Sequence, residues 1–306
     1  MFRFILKRLG MMLLAMFMII LLTFSIMHAI PGGPFTSDKK VSAEVEAALN
    51  EKYNLDKPLP VQFFSYLGGI LHGDFGPSYK YTGKTVNDFI LNGFPVSARL
   101  GAVTIVFVLL AAIPMGVLAA LKNGRWQDML MMAFATIGVT IPSFVIASVL
   151  IYVFAYKLNW LPTYGVDTWQ GYILPVIALG GYSLSYLARL MRSSLLEVMG
   201  QDYIRTARAK GLTEWKVVTR HALRNALVPV VTVLGPTVAN LLTGSFVVEK
   251  IFAIPGLGVY FVNSVSQRDY TTIMGVTIFY AAFLMAMVLL VDVFYCMIDP
   301  RIKFDA

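Results

Sequence analysis

The sequence contains one short motif whose residues could bind a nucleotide phosphate. Thr82-Gly83-Lys84-Thr85 has the Gly-Lys-Thr ending of a phosphate-binding loop, in which backbone N–H groups and a lysine hold the phosphates. The complete loop needs a second glycine five residues before Gly83, and Ser78 occupies that position. We therefore interpret the segment as a turn with a chance similarity, and we predict that this chain does not hydrolyse ATP.

Other residues that could do chemistry do not converge on one site. His28, His72 and His221 lack the spacing of metal ligands, and no serine lies in a nucleophile elbow. Asp292 lies well inside an apolar run, where a carboxylate is a candidate for function. We favour a structural pair with a nearby Arg or Lys, and a gating role is the alternative. A membrane-embedded enzyme would need a convergent catalytic set, which Asp292 alone does not supply.

The polar stretch 192–225 predicts a compact, basic knob. Asp202 is suited to cap a short helix over 203–210, whose cations gather at the end that the helix dipole favours. Gly211 is suited to end that helix in a left-handed conformation, and Thr213 can cap a second helix. Two short helices that meet at a glycine could dock into a groove on a soluble partner. The alternative is a basic loop that contacts anionic lipid headgroups.

These residues must be positioned by helices that cross a membrane. Apolar residues make up 58% of the chain, charged residues 14%, and the mean hydropathy is +0.70, whereas a soluble domain would carry more charge. About 20 apolar residues cross the hydrocarbon of a bilayer. Six stretches reach that length, and the first is predicted to be an uncleaved helix because it exceeds a signal-peptide core. The stretches are 9–30, 98–121, 131–156, 172–191, 226–248 and 273–298.

Prolines recur within the predicted spans. Each removes a backbone hydrogen bond and favours a kink. The third apolar stretch is long for one span, so we predict that it tilts or bends at its proline. Two interpretations of these prolines stay open. The kinks serve helix packing alone, or they bend the helices around a pathway that opens and closes. The prolines are Pro114, Pro142 (in the third stretch), Pro175, Pro229 and Pro236.

Positive charge predicts the orientation of these helices. With the N-terminus inside, most Lys and Arg residues lie on the cytoplasmic side, so we expect both termini to be cytoplasmic. The net charge of +8 is then a topology signal, and no nucleic acid partner is predicted. Cys296 is the single cysteine, so an internal disulfide is excluded. The outer segment 31–97 is too long for a simple connector, and its stretch 42–52 predicts a helix that Ser42 could cap.

The segment 203–226 resembles the cytoplasmic coupling loop of binding-protein-dependent ABC importer permeases. The resemblance is carried by Arg-Thr-Ala-Arg-Ala-Lys-Gly at 205–211 and by His-Ala-Leu-Arg-Asn-Ala at 221–226. The broad family has Glu-Ala-Ala where this chain has Arg-Thr-Ala, and the dipeptide/oligopeptide/nickel branch shows the same departure. Within that branch, 74–78 and 86–88 resemble the B-type permease subunit of oligopeptide importers. Further matches lie at 30–35, 73–78, 244–249, 254–258 and 299–301.

The resemblance implies an all-α integral membrane protein with about six transmembrane helices of the type I ABC importer permease fold. It places the protein in the bacterial cytoplasmic (inner) membrane. It divides the chain into a first helix with a sizeable extracytoplasmic segment (1–93), a permease core (94–298) and a cytoplasmic tail (299–306). The core includes the coupling loop of about 192–225.

The resemblance also implies a transport pathway subunit that is not an enzyme and binds no cofactor. A paralogous permease subunit would complete a heterodimer, two ATPase subunits would carry ATP and Mg, and an extracytoplasmic peptide-binding protein would deliver oligopeptides. ATP binding would switch the pathway from inward-facing to outward-facing. The ATPase subunits would contact Tyr203, Arg205, Thr206, Ala207, Arg208, Lys210, Gly211 and Leu212. Candidate contacts for the binding protein, or for a gate, are Asp74, Phe75, Glu249, Pro255 and Gly256.

Two alternatives to oligopeptide import stay open. Relatives of the same branch import dipeptides, nickel or another small solute. An ion-coupled secondary transporter is the more distant alternative, because such folds usually carry internal repeats and charged residues at the midplane. Neither feature is clear in this sequence.

Overall fold

The computed structural model describes residues 2–31, 33–35, 48 and 50–298, and it describes side chains for those from 6 to 290. The described residues are mainly helical, with an isolated bridge between Pro77 and Thr85. The helices are α1 Phe2–Ala29, α2 Leu59–Leu71, α3 Val86–Leu121, α4 Trp126–Thr140, α5 Ser143–Leu150, α6 Trp169–Met199, α7 Asp202–Ala209, α8 Glu214–Lys216, α9 Leu223–Leu242, α10 Phe246–Ile251, α11 Leu257–Gln267 and α12 Tyr270–Ile298. A π-helical segment, Ile151–Lys157, follows α5 directly. A second one, Val217–Ala222, joins α8 to α9.

The predicted spans are confirmed as helices, and one of them is broken. By length and composition, five helical stretches of the described chain could cross a membrane, namely Leu6–Ala29, Val86–Leu121, Trp169–Met199, Glu214–Ile251 and Tyr270–Leu290. The sixth is the pair Trp126–Thr140 and Ser143–Lys157, which is bent by 110°. The break lies at Ile141, which adopts extended backbone angles because Pro142 follows it. The bend predicted at Pro142 is therefore confirmed.

Residues 1–97 and 255–306 form one compact unit. Its apolar core joins Ile20 and Phe24 of α1, Phe63 of α2, and Met274 and Ile278 of α12. The short helix α2 thus shares a core with two helices that are long enough to span a bilayer. The helix predicted over 42–52, with its cap Ser42, lies largely outside the described residues.

Residues 98–254 form the second unit, and α6 lies at its centre. Half of the residues in the most apolar 18-residue stretch of α6 are buried. In the corresponding stretches of the other unbroken spanning helices, 28% or fewer of the residues are buried. Leu187, Met191 and Leu195 of α6 are fully buried in a cluster with residues of α3 and α9. The helices α4 and α5 also pack against α6. Pro175 lies inside α6, and Pro229 and Pro236 lie inside α9.

Close packing of α4 on α6 depends on Gly138, and this gives a first prediction. A Cβ atom at Gly138 would lie 2.7 Å from the carbonyl oxygen of Gly181 and would also meet the Ser185 hydroxyl. Because the nearest atom of Gly181 belongs to the backbone, the two helices would have to separate. We expect Gly138→Ala to cost about 1–3 kcal/mol, measured by thermal unfolding in detergent. Gly10→Ala is the control, since a Cβ there meets nothing within 4 Å, and equal melting of both variants would contradict this packing.

Candidate functional site

The knob predicted in the polar stretch 192–225 is present and contains the predicted left-handed glycine. The helix α7 runs over Asp202–Ala209, and Gly211 adopts φ +76° after it. The prediction that Asp202 caps this helix is wrong, because Gln201 holds the N-cap position and Asp202 already has helical geometry. Its carboxylate therefore acts as an acidic group in the first turn, where the helix dipole favours it. Thr213 holds the N-cap position of α8, but its side chain makes no cap hydrogen bond.

The α7 helix is amphipathic, and its buried face fixes it to the second unit. Ile204 and Ala207 are 0% and 6% exposed and pack in a cluster that includes Met191, Leu195 and Val217. Of the predicted contact residues, Ala207 therefore lies on the buried face and anchors the helix. Sequence analysis did not identify Ile204, although its i, i+3 spacing from Ala207 is the signal of a shared face.

The remaining predicted contact residues lie mostly on the outer face of the knob. Leu212 is half-buried against the same cluster that holds Ile204. The exposed residues are Tyr203, Arg205, Thr206, Arg208, Lys210 and Gly211. We call this set, together with Trp215 of α8, the docking face. Trp215 was not among the predicted contact residues. It is 76% exposed, and it is a candidate contact residue because tryptophan commonly anchors protein interfaces.

Polar contacts hold the docking face in one geometry. The Arg208 guanidinium donates to both carboxylate oxygens of Glu214, at 2.7 and 3.3 Å, and so bridges the turn at Gly211. The Asn225 amide donates to the Tyr203 hydroxyl oxygen at 2.7 Å. The exposed ion pair adds little stability by itself, but the two contacts fix α7 relative to both α8 and the start of α9.

An ion pair near the knob was not predicted. Arg192 of α6 donates to both oxygens of Asp128, from Nε and Nη2 at 2.6 Å each, and Nη2 also donates to Asn123 at 2.8 Å. The backbone N–H of Gly124 donates to Asp128 as well, at 2.9 Å. Asp128 is 4% exposed. We call this pair the Asp128–Arg192 clamp, and it ties the start of α4 to the end of the helix that leads into α7.

A buried acid organises the outer segment within the first unit. Asp269 is fully buried and accepts hydrogen bonds from the Ser78 hydroxyl and, at 2.8 Å, from the Thr272 hydroxyl. It also accepts from the backbone N–H of Tyr79 at 3.1 Å. Because α12 begins at Tyr270, Asp269 caps that helix and holds the chain that leads into the 77–85 turn. Burial raises the pKa of the Tyr79 phenol.

The Gly-Lys-Thr segment lies in this same outer turn. Gly83 has φ +76°, and the N–H of Lys84 donates to the carbonyl of Tyr81 at 3.0 Å. Residues 77 and 85 meet in the isolated bridge, so the segment is a closed turn and the interpretation as a turn is confirmed. The neighbouring Lys80 ammonium donates to the Pro34 carbonyl at 2.7 Å, and burial lowers the pKa of that ammonium.

The outer residues proposed as binding-protein contacts differ in exposure. Asp74 is exposed and accepts from the N–H of Gly76 at 2.9 Å, while Phe75 is half-buried. Pro255 is exposed and Gly256 is buried at the start of α11. Asp74 and Pro255 are thus open to a partner.

Of the remaining predicted residues, Glu249 is buried, and the side chain of Asp292 lies outside the described part of the chain. Glu249 of α10 is 0% exposed, so its carboxylate is not on the surface of the described chain. Asp292 lies in α12, but its side chain is outside the described part of the structure, and its role stays a prediction.

Comparisons with known proteins cover nearly the whole chain. Residues 112–304 match the family described as the binding-protein-dependent transport system inner membrane component. Residues 1–101 match the family described as the N-terminal part of the membrane component of such systems. The chain is 47% identical to the dipeptide transport system permease protein of Bacillus subtilis over 98% of each chain. It is 44% identical to the oligopeptide transport system permease protein of Salmonella typhimurium, over 99% of this chain and 100% of that protein.

Solved structures show the same fold at low sequence identity. An inward-facing crystal structure of the MetNI methionine ABC transporter matches with a TM-score of 0.55 and 20% identity, covering 69% of this chain and 94% of that chain. An amino acid ABC transporter with histidines matches with a TM-score of 0.52 and 18% identity, covering 68% and 93%. These matches confirm the all-α permease fold predicted from the sequence.

Proposed function

The chain belongs to the family of binding-protein-dependent transport system inner membrane components, and we infer that it forms one half of the pathway of an ATP-driven peptide importer. The observation that carries this inference is the docking face. An exposed, cationic helix that is anchored by Ile204 and braced by Glu214 is suited to transmit motion from a soluble partner to the spanning helices. Within the described chain the Gly-Lys-Thr segment is a turn, so we assign ATP and Mg to partner ATPase subunits.

The proposed assembly has four kinds of chain. A paralogous permease subunit completes a heterodimer, two ATPase subunits bind the docking faces, and an extracytoplasmic binding protein delivers the peptide. We propose that the assembly lies in the bacterial cytoplasmic membrane with both termini of this chain in the cytoplasm. The basic knob is then on the side where ATP is available.

We propose oligopeptides as the substrate, with dipeptides as the second candidate. The motif at 74–78 favours oligopeptides, and relatives named for oligopeptide transport are 42–44% identical over nearly the full length. The 47% identical relative is named for dipeptide transport, which supports the second candidate. Competition of labelled peptide uptake by unlabelled dipeptides and pentapeptides distinguishes the two.

Copurification tests the docking face. We expect two ATPase subunits to copurify with this chain in mild detergent, and Arg205→Glu to reduce their retention about tenfold, which corresponds to about 1.4 kcal/mol. Arg205 is suited to this test because its side chain is 74% exposed, so its reversal leaves the core intact. Lys84→Glu in the outer turn is the matched control and should retain the ATPases. Recovery of the chain without any ATPase subunit would contradict the proposal.

A further inference from the structure

The helix α2 presents an apolar face to its surroundings. Its thirteen residues include no charged side chain, and Phe64 and Leu71 are 67% and 78% exposed. Pro60, Phe64, Leu67 and Leu71 follow the i, i+4, i+7, i+11 spacing of one helix face. An apolar surface of this kind marks an interaction site, and a helix of about 20 Å is too short to cross a bilayer.

The contacts of α2 with α1 fix its depth in the membrane. The Phe63 ring packs between Phe17 and Phe24, at centroid distances of 6.1 and 5.3 Å, and shares a core with Ile20. Ile20 lies nine residues before the end of α1 at Ala29, which is about 13 Å along the helix axis.

The length of α1 leaves little freedom in that depth. The helix α1 carries charged residues up to Arg8, and its uncharged part, Leu9–Ala29, has 21 residues and is about 32 Å long, against a hydrocarbon core of about 30 Å. If the whole excess of about 2 Å protruded on the outer side, Ile20 would still lie about 11 Å inside the hydrocarbon. Phe63 lies at the same level, because it packs in the same core.

The helix α12 gives a second, independent measure of depth. Ile278 belongs to the same core as Phe63 and lies eight residues after the start of α12 at Tyr270, which is about 12 Å along the axis. Two spanning helices therefore place α2 at the same depth, within the outer half of the membrane.

Two polar side chains beside the apolar face, Gln62 and His28, find hydrogen-bond partners within the chain. The Gln62 amide nitrogen donates to the carbonyls of Leu55 and Lys57, at 3.1 and 2.7 Å. Its oxygen lies 3.1 Å from Nε2 of His28, whose Nδ1 lies 2.8 Å from the Phe24 carbonyl. Hydrocarbon tolerates a helix only where such groups find internal partners.

A groove of about 550 Å³ between α1 and α2 is lined mainly by aromatic and aliphatic side chains. Its lining includes Phe17, Leu21, Phe24, Leu59, Phe63 and Phe64. The groove is continuous with the exposed apolar face of α1, where Leu13 and Leu14 are 72% and 64% exposed. This continuity identifies the occupant, because the exposed face of a spanning helix is surrounded by acyl chains.

We propose that α2 is immersed in the outer leaflet and that acyl chains of outer-leaflet lipids fill the groove between α1 and α2. The segment between the first and second spans is then anchored in the bilayer at α2, and the 77–85 turn is held above it. The proposal does not depend on which substrate is transported.

Spin labelling of the assembled transporter in lipid nanodiscs tests this proposal. In a Cys296→Ser background, Phe64→Cys is labelled with a nitroxide, and its accessibility to oxygen and to the water-soluble reagent Ni-EDDA is compared by power saturation. Leu13→Cys is the lipid-exposed control, and Lys84→Cys, in the exposed outer turn, is the aqueous control. We expect the oxygen-to-nickel ratio at position 64 to match that at 13 and to exceed that at 84 at least fivefold.

Two results would overturn the proposal. A ratio at position 64 like that at 84 would show that the face is in water, and low accessibility to both reagents would show that another protein covers it. Leu71→Cys, 78% exposed on the same face, reports in the same way if Phe64→Cys impairs folding. Peptide uptake by the labelled assemblies is measured in parallel, so that failure of the lipid proposal is distinguished from failure of the proposed function.

Discussion

Gly211→Val is expected to lower ATP-driven uptake at least tenfold while the chain remains folded in the membrane. Gly211 has φ +76°, and a Cβ at this position meets nothing within 4 Å, so the effect comes from the backbone and not from a clash. The left-handed conformation costs an L-residue about 1–2 kcal/mol, and a β-branched residue adopts it least readily. The turn therefore changes conformation, and α7 loses its direction relative to α8.

Gly211→Asn is the matched control, because asparagine tolerates the left-handed region. It should keep most of the uptake and the full retention of ATPase subunits. Full uptake and full ATPase retention by Gly211→Val would show that the turn geometry is not needed for coupling.

Removal of Asp128 is expected to produce the second large effect. Asp128→Ala leaves the Arg192 guanidinium without the two hydrogen bonds of the clamp in a site where Arg192 is 25% exposed. Loss of one partner from a largely buried ion pair costs on the order of 3 kcal/mol. We expect a matching fall in thermal stability and weaker coupling, because the clamp holds the start of α4 against the helix that leads into α7.

Glu214→Ala is the control, since its pair with Arg208 is exposed and should contribute less than 1 kcal/mol. A double-mutant cycle of Asp128→Ala with Arg192→Met isolates the energy of the clamp. Equal losses of stability in Asp128→Ala and Glu214→Ala would contradict a structural role for the clamp.

Local sequence signals predicted much of the fold. The apolar runs predicted the spanning helices because the hydrocarbon thickness sets the length of a span. Pro142 predicted the break because proline restricts the backbone of the residue before it. The turn at Gly211 was predictable for a similar reason, since glycine is favoured where φ is positive. In each of these cases the determining physics lies within a few residues of the feature.

Features that depend on distant residues were not predicted. Asp128 and Arg192 are 64 positions apart, and neither sequence neighbourhood indicates the other. Asp269 likewise meets Ser78 across 191 positions. Glu249 is buried, whereas its charge alone suggested an exposed residue. The prediction that Asp202 is an N-cap was wrong by one position. Aspartate is favoured both at the N-cap and in the first helical turn, so its residue type does not distinguish the two positions.

Peptide uptake into proteoliposomes tests the central claim most directly. The complete assembly of this chain, its permease partner, the ATPase subunits and the binding protein should accumulate labelled oligopeptide when ATP is supplied on the ATPase side. The same assembly without ATP, and this chain alone under an ion gradient, should accumulate none. Uptake by this chain alone, driven by an ion gradient without ATPase subunits, would contradict the account and identify a secondary transporter.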